Sequence, residues 1–128
     1  PHPGEAARLL DVCIAEIQRD RFAAVREMAA RFNAVVVLKG AGSLVADPQG
    51  RVGLCPFGNP AMATAGMGDA LTGILASLAG QGHAAGADLF DVACAGVVLH
   101  ARAGDTAAGH RRAILAGDLI SALPRVMP

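Results

Sequence analysis

Gly66-Met67-Gly68-Asp69 is the tetrapeptide whose residue types and spacing point most directly to chemistry. Two residues without a Cβ let the backbone turn tightly and let an anion approach its N–H groups. Leu71, Ile74, Leu75 and Leu78 follow at i, i+3, i+4 and i+7, which predicts an amphipathic helix starting near Asp69. The glycine loop therefore empties into a helix N-terminus, where unpaired amides and the positive end of the dipole favour phosphate. The same field favours ionised Asp69, and a carboxylate beside a bound phosphoryl group can accept a proton from a substrate hydroxyl. The plainer role for that aspartate is a helix cap.

Lys39 is the second candidate. It ends the run Ala34–Leu38, which reads as a strand, and ligands of open α/β sheets bind off the carboxyl ends of strands. Lys39, Gly40, Ala41, Gly42 and Ser43 would meet a nucleotide's phosphate with a charge, backbone amides and a hydroxyl. A solvated lysine before an ordinary turn is the alternative. His2 and Glu5 stand in Pro1-His2-Pro3-Gly4-Glu5, where a histidine can donate to a substrate oxygen or simply be solvated. Asn59 suits fixing the loop by side-chain hydrogen bonds, and Thr64 suits either phosphate or the loop itself. His83, His100 and His110 lack partners at metal-ligand spacing and read as structural or surface residues, while Arg102 and Asp105 could pair locally.

The elements that must position these groups follow from periodicity and punctuation. Gly4–Gln18 predicts one or two short helices after the proline-rich start. Arg19–Asn33 predicts a helix with Phe22, Val25, Met28 or Ala29, and Phe32 inward, stopping at Asn33. Ala34–Leu38 is a continuous valine-rich run, as in a strand buried on both faces of a parallel sheet. Ser43–Ala46 and Arg51–Cys55 read as a hairpin around Asp47-Pro48-Gln49-Gly50. After the glycine-loop helix, Asp88 should cap a helix to about Ala103, apolar all round in its middle and so sandwiched. A loop over Gly104–Arg112 and a last helix over Ile114–Leu123 complete the order, which is α/β.

With 128 residues the chain is one domain or part of one, large enough to bury about two thirds of its unfolded surface. Hydrophobic residues make up 53% but aromatics 3%, so the core is built from Ala, Val, Leu and Ile. Lys plus Arg and Asp plus Glu number 11 each, which leaves no global field to attract nucleic acid or an anionic membrane. Cys13, Cys55 and Cys94 are odd in number and lack C-x-x-C spacing, which argues for reduced, buried thiols in a cytoplasmic protein rather than disulfides or zinc. No apolar run is long enough to span a bilayer, and the expectation is a soluble protein. A first residue inside a motif suggests that the chain begins partway through a larger unit.

Pro1-His2-Pro3-Gly4-Glu5, Lys39-Gly40 and Asn59–Gly82, in this order and spacing, resemble the C-terminal half of the ADP- or ATP-dependent NAD(P)H-hydrate dehydratases of the ribokinase-like superfamily. The resemblance runs over nearly the whole chain. It implies that residues 1–128 are the C-terminal part of a single ribokinase-like α/β/α layered domain, with a mostly parallel sheet plus a β-hairpin. It implies nucleotide contacts at Lys39, Gly40, Ala41, Gly42, Ser43, Gly66 and Gly68, with Asp69 catalytic and, together with His2, facing the hydrated nicotinamide. ADP or ATP as co-substrate, Mg²⁺, and a homo-oligomer are further implications. Ser43 stands where the family has Thr, and Met67 where its loop commonly has Ser; the first change keeps a hydroxyl and the second removes one. The alternatives are a ribokinase-like kinase of a sugar or vitamin precursor, which would release a phosphorylated product, and a non-catalytic nucleotide-binding fragment.

Overall fold

The computed structural model describes residues 1–127, which form two compact units, Pro1–Cys55 and the chain from Pro56 onward. The first unit runs α1 (Pro3–Leu10), α2 (Ile14–Arg19), α3 (Arg21–Phe32), β1 (Val36–Leu38), β2 (Leu44–Ala46) and β3 (Val52–Leu54). Its caps are local. His2 accepts from the Gly4 and Glu5 amides, Glu5 accepts from the His2 amide, and Pro3 opens the helix where no N–H is required. Asp20 caps α3 through the Ala23 amide, and Asn33 ends it in the left-handed conformation at φ 48°.

The inner face of α3 is Ala24, Val25, Met28 and Ala29, packed with Ile17, Leu38, Leu44 and Ala46 into one core. Phe22 and Phe32, expected inside, are exposed. They lie in the first and last turns, beyond the strands that cover the helix middle, with the Arg26 and Arg31 guanidinium groups over their rings.

The sheet has the order β1-β2-β3 and is antiparallel throughout, pairing Val37 with Val45 and Val45 with Gly53. The hairpin is as the sequence indicates, but the parallel partner suggested by the valine run is not there among the described residues. The connection from β1 to β2 is too short for a parallel crossover, which needs a dozen or more residues, so the chain can only fold back. Val36 and Val37 are accordingly half-buried rather than sealed on both faces. At the β2–β3 turn, buried Asp47 accepts from the Arg51 amide and pairs with its guanidinium.

The second unit holds a 3₁₀ turn (Pro60–Met62), α4 (Met67–Ala84), α5 (Leu89–Ala108), α6 (Ala116–Ala122) and a closing 3₁₀ turn (Leu123–Arg125). Asp88 caps α5 through the Phe90 and Asp91 amides. α5 is the central element, packing on α4, α6 and both 3₁₀ turns, which accounts for its apolar circumference. Ala103, Ala108, Ile74, Met67, Ile114 and Leu119 meet in its core.

The sequence suggested that α5 stops at about Ala103, yet it runs on to Ala108. Gly104 is buried and serves close packing: a Cβ there would collide with the Met62 sulfur. Gly96 plays the same part towards α4, with Leu75 against it. The last helix begins at Ala116 rather than Ile114, whose amide is drawn to the Ala61 carbonyl at 3.0 Å. Cys55 is buried and Cys94 half-buried, but Cys13, expected inside, is exposed because it caps the turn into α2. No helix among the described residues is long and apolar enough to cross a membrane.

Candidate functional site

In the first unit the terminal motif and the strand-end lysine come together. The Lys39 amide donates to the Pro1 carbonyl at 2.8 Å, and its ammonium lies 3.7 Å from Glu5 Oε2. His2 uses Nδ1 as the acceptor for two amides, which puts its ring proton on Nε2, 3.5 Å from Glu5 Oε1. The His2 amide's bond to Glu5, then burial acting the other way, then Lys39 and His2, set the Glu5 carboxyl below its ordinary range. His2 is thus an ordered helix cap with its Nε2 side exposed, and not a loose terminal residue.

The turn after Lys39 is held by a residue that sequence reasoning missed. Arg21, at the start of α3, donates to the Ala41 carbonyl at 2.7 Å and the Leu38 carbonyl at 3.3 Å. Gly40, at φ +151°, lets the guanidinium in, since a Cβ would stand 2.9 Å from its terminal nitrogen. The Ser43 hydroxyl closes the turn on Gly40, accepting from its amide and donating to its carbonyl. Gly42, at φ +67°, makes the final bend over Leu54.

In the second unit the glycine loop begins α4 as expected, but the cap is Gly66, at φ +84°, not Asp69. Gly66 has no side chain to satisfy the first amides of the helix, and the first backbone bond runs from Ala70 to the Gly66 carbonyl. The amides of Met67, Gly68 and Asp69 are therefore the orphan donors of a helix start. Asp69, third in the helix, is exposed, and its carboxylate has no hydrogen-bond or ion-pair partner among the described residues. Gly66, Asp69 and Ala70 form one end of an open cavity of about 600 Å³ that continues along α4 past Gly73 and Ser77 to Gln81, lined on its other side by Ile120 and Leu123. Its walls are mostly apolar.

The approach to this loop is fastened from α5. Asp105 accepts from the Asn59 side-chain amide at 2.7 Å and the Gly58 amide at 3.0 Å, while Asn59 accepts from the Ala61 amide. Asn59 thus fixes the loop as its type suggested. Thr64 donates to the Ile114 carbonyl at 2.7 Å, so its hydroxyl serves the loop. Arg102 does not pair with Asp105; it lies 5.7 Å over the Phe57 ring. His83 and His110 are exposed, but His100 is buried, with Nε2 3.0 Å from the Met67 carbonyl. The signal that marks His100 in the sequence is a lone ring nitrogen in an otherwise apolar helical run, which must find a partner on burial.

A family model described as Carb_kinase: NAD(P)H-hydrate dehydratase matches residues 1–125. Over 99% of its length the chain is 51% identical to the bifunctional NAD(P)H-hydrate repair enzyme Nnr of Moorella thermoacetica, covering 24% of that protein. It is 47% identical over 95% of its length to the ADP-dependent (S)-NAD(P)H-hydrate dehydratase of Neisseria meningitidis, covering 41% of it. Among solved structures it resembles, at 34% identity and a TM-score of 0.88, an ADP/ATP-dependent NAD(P)H-hydrate dehydratase from Bacillus subtilis co-crystallized with ATP/Mg²⁺ and soaked with CoA. That match covers 98% of this chain and 46% of the other. The chain spans less than half the length of these relatives, and its fold is the corresponding part of the ribokinase-like one. With a family model matching almost end to end and relatives this similar, the chain belongs to the NAD(P)H-hydrate dehydratase family.

Proposed function

We propose that the protein carrying this chain dehydrates hydrated NADH or NADPH at the expense of ADP or ATP, and that residues 1–128 are the later part of its single ribokinase-like domain. The observation that carries the reading is the uncapped start of α4. In a chain of this family, three orphan amides and an unpartnered carboxylate stand together at one end of a cavity. Hydroxide is a poor leaving group, so a nucleotide makes chemical sense as the donor of a phosphoryl group to the substrate hydroxyl.

Asp69 accepts the hydroxyl proton as that oxygen attacks the terminal phosphorus and the bond to the nucleotide's bridging oxygen breaks. The amides from Met67 to Asp69, behind the Gly66 cap, stabilise charge on the transferring group. Inorganic phosphate then departs from the ring carbon, driven by the lone pair of the ring nitrogen, and loss of a proton restores the double bond. In the first unit, Lys39 and the Gly40–Ser43 turn would bind nucleotide phosphate, and the exposed side of His2 would donate to the hydrated ring.

Among the described residues no three His, Cys, Asp or Glu side chains gather into a metal cage. The exposed carboxylate oxygens of Asp69 are hard donors of the kind Mg²⁺ takes, and would stand beside an ion carried by nucleotide phosphates and water. Bound so, the ion would supply charge neutralisation on the phosphates. The test is to give the complete protein NADH hydrate with ADP or ATP. Recovery of NADH with stoichiometric inorganic phosphate is expected. A stable phosphoester would instead identify a small-molecule kinase, and no turnover with nucleotide binding intact would identify a binding module.

A further inference from the structure

His100 is a buried polar side chain outside the residues assigned above to chemistry, and its geometry bears on them. Its Nε2 lies 3.0 Å from the carbonyl of Met67, the first residue of α4 and the one between the two loop glycines. A carbonyl only accepts, so Nε2 carries the proton and the ring is the donor. Burial disfavours the charged ring and lowers its pKa, against the opposite pull of that carbonyl, which suits a neutral donor.

The consequence runs through the peptide plane. In a trans peptide the carbonyl of Met67 and the N–H of Gly68 point in opposite directions. Fixing that carbonyl inward on α5 therefore aims the Gly68 amide outward. The same helix holds the preceding loop through Gly104 against Met62 and Asp105 against Gly58 and Asn59. The Met67 side chain is itself buried with Ala103 and Ile114, so the loop residue is held at both ends.

We propose that His100 is a positioning residue for nucleotide binding, orienting the Gly68 amide towards the nucleotide phosphate through the Met67 carbonyl. This rests on the reading of the α4 start as the phosphate site. The residue touches neither substrate, so its loss should weaken nucleotide selectively. A purely structural histidine would lower stability and leave the affinity of the folded protein unchanged.

The experiment compares His100→Leu and His100→Gln in the complete protein, with ADP and ATP affinities from calorimetry and KM for nucleotide and NADH hydrate separately. Leu removes the donor; Gln places an amide N–H near the position of Nε2. The expected result for Leu is a rise of about tenfold in nucleotide Kd and KM, the scale of one lost hydrogen bond, with hydrate KM within about twofold. Gln should recover most of the loss. If Leu does not fold, Asn, too short to reach the carbonyl, takes its place against Gln. Wild-type nucleotide affinity in a folded Leu or Asn variant, or equal weakening by the reaching and non-reaching variants, overturns the positioning role alone. A wild-type protein that binds neither nucleotide overturns the phosphate-site reading and this inference with it.

Discussion

The two units hold their candidate phosphate loops by different means. In the first, the turn after Lys39 is strapped by long charged side chains near the surface: Arg21 on its carbonyls and Glu5 beside the lysine. In the second, the loop before α4 is gripped from within by α5 through a buried histidine, a glycine that admits Met62, and an aspartate binding two backbone-proximal donors. A loop held by surface charge yields to salt and acid, whereas one held by packing has its shape fixed before any ligand arrives. The orphan amides beside Asp69 are of the second kind, which is what preorganised stabilisation of transferring charge requires.

The largest effect expected from this contrast is at Gly104. Gly104→Val forces two methyl groups against Met62 and should destabilise the second unit by about 2 kcal/mol, the usual cost of overpacking a filled site. Thermal melting at low and high salt checks it. The loss should be the same in both, and Met62→Ala in the same background should return part of it. A stability unchanged from wild type would show that α5 does not grip the loop by packing.

A smaller effect separates the units by pH. In the first unit, Glu5, Glu16 and Asp47 are held below their ordinary values. For Glu5 and Glu16 the main cause is a backbone amide bond; for Asp47, burial pushes upward but the Arg51 bonds outweigh it. The unfolded chain takes up these protons first as pH falls, so their stabilisation is present above about pH 4 and lost below it. His100 is also lowered, but it is a base: its unfolded form starts to bind a proton near about pH 6.5 and the folded form only at lower pH, so stability starts to fall there. On acidification, methyl NMR signals of Ile74 and Ile114 should therefore respond before those of Val25 and Leu38. The reverse order would contradict the division.

Local signals in the sequence were enough where a side chain acts on nearby backbone. Asn33 ends α3, Asp88 caps α5, and Asn59 fixes its loop, because each acts on backbone within a few residues. Interactions between distant segments were not legible. Nothing near Arg21 says that it reaches the turn after Lys39, and nothing near His100 names Met67. Gly104 read as a helix stop because a glycine with a packing role and one with a capping role look alike until the neighbour is known. The valine run shows the same limit: the short connection to β2 dictates an antiparallel neighbour, which the burial pattern of the run does not announce. The glycine loop itself was placed correctly before α4, with its cap three residues earlier than Asp69.

The central claim is that the free carboxylate of Asp69 is the proton acceptor of phosphoryl transfer. Its most direct test is Asp69→Asn in the complete protein, measuring ADP or ATP affinity alongside recovery of NADH from its hydrate. A drop in turnover of about a hundredfold or more, typical of losing a general base, with nucleotide affinity kept, is the predicted result. Turnover at the wild-type rate in the Asn variant would contradict it.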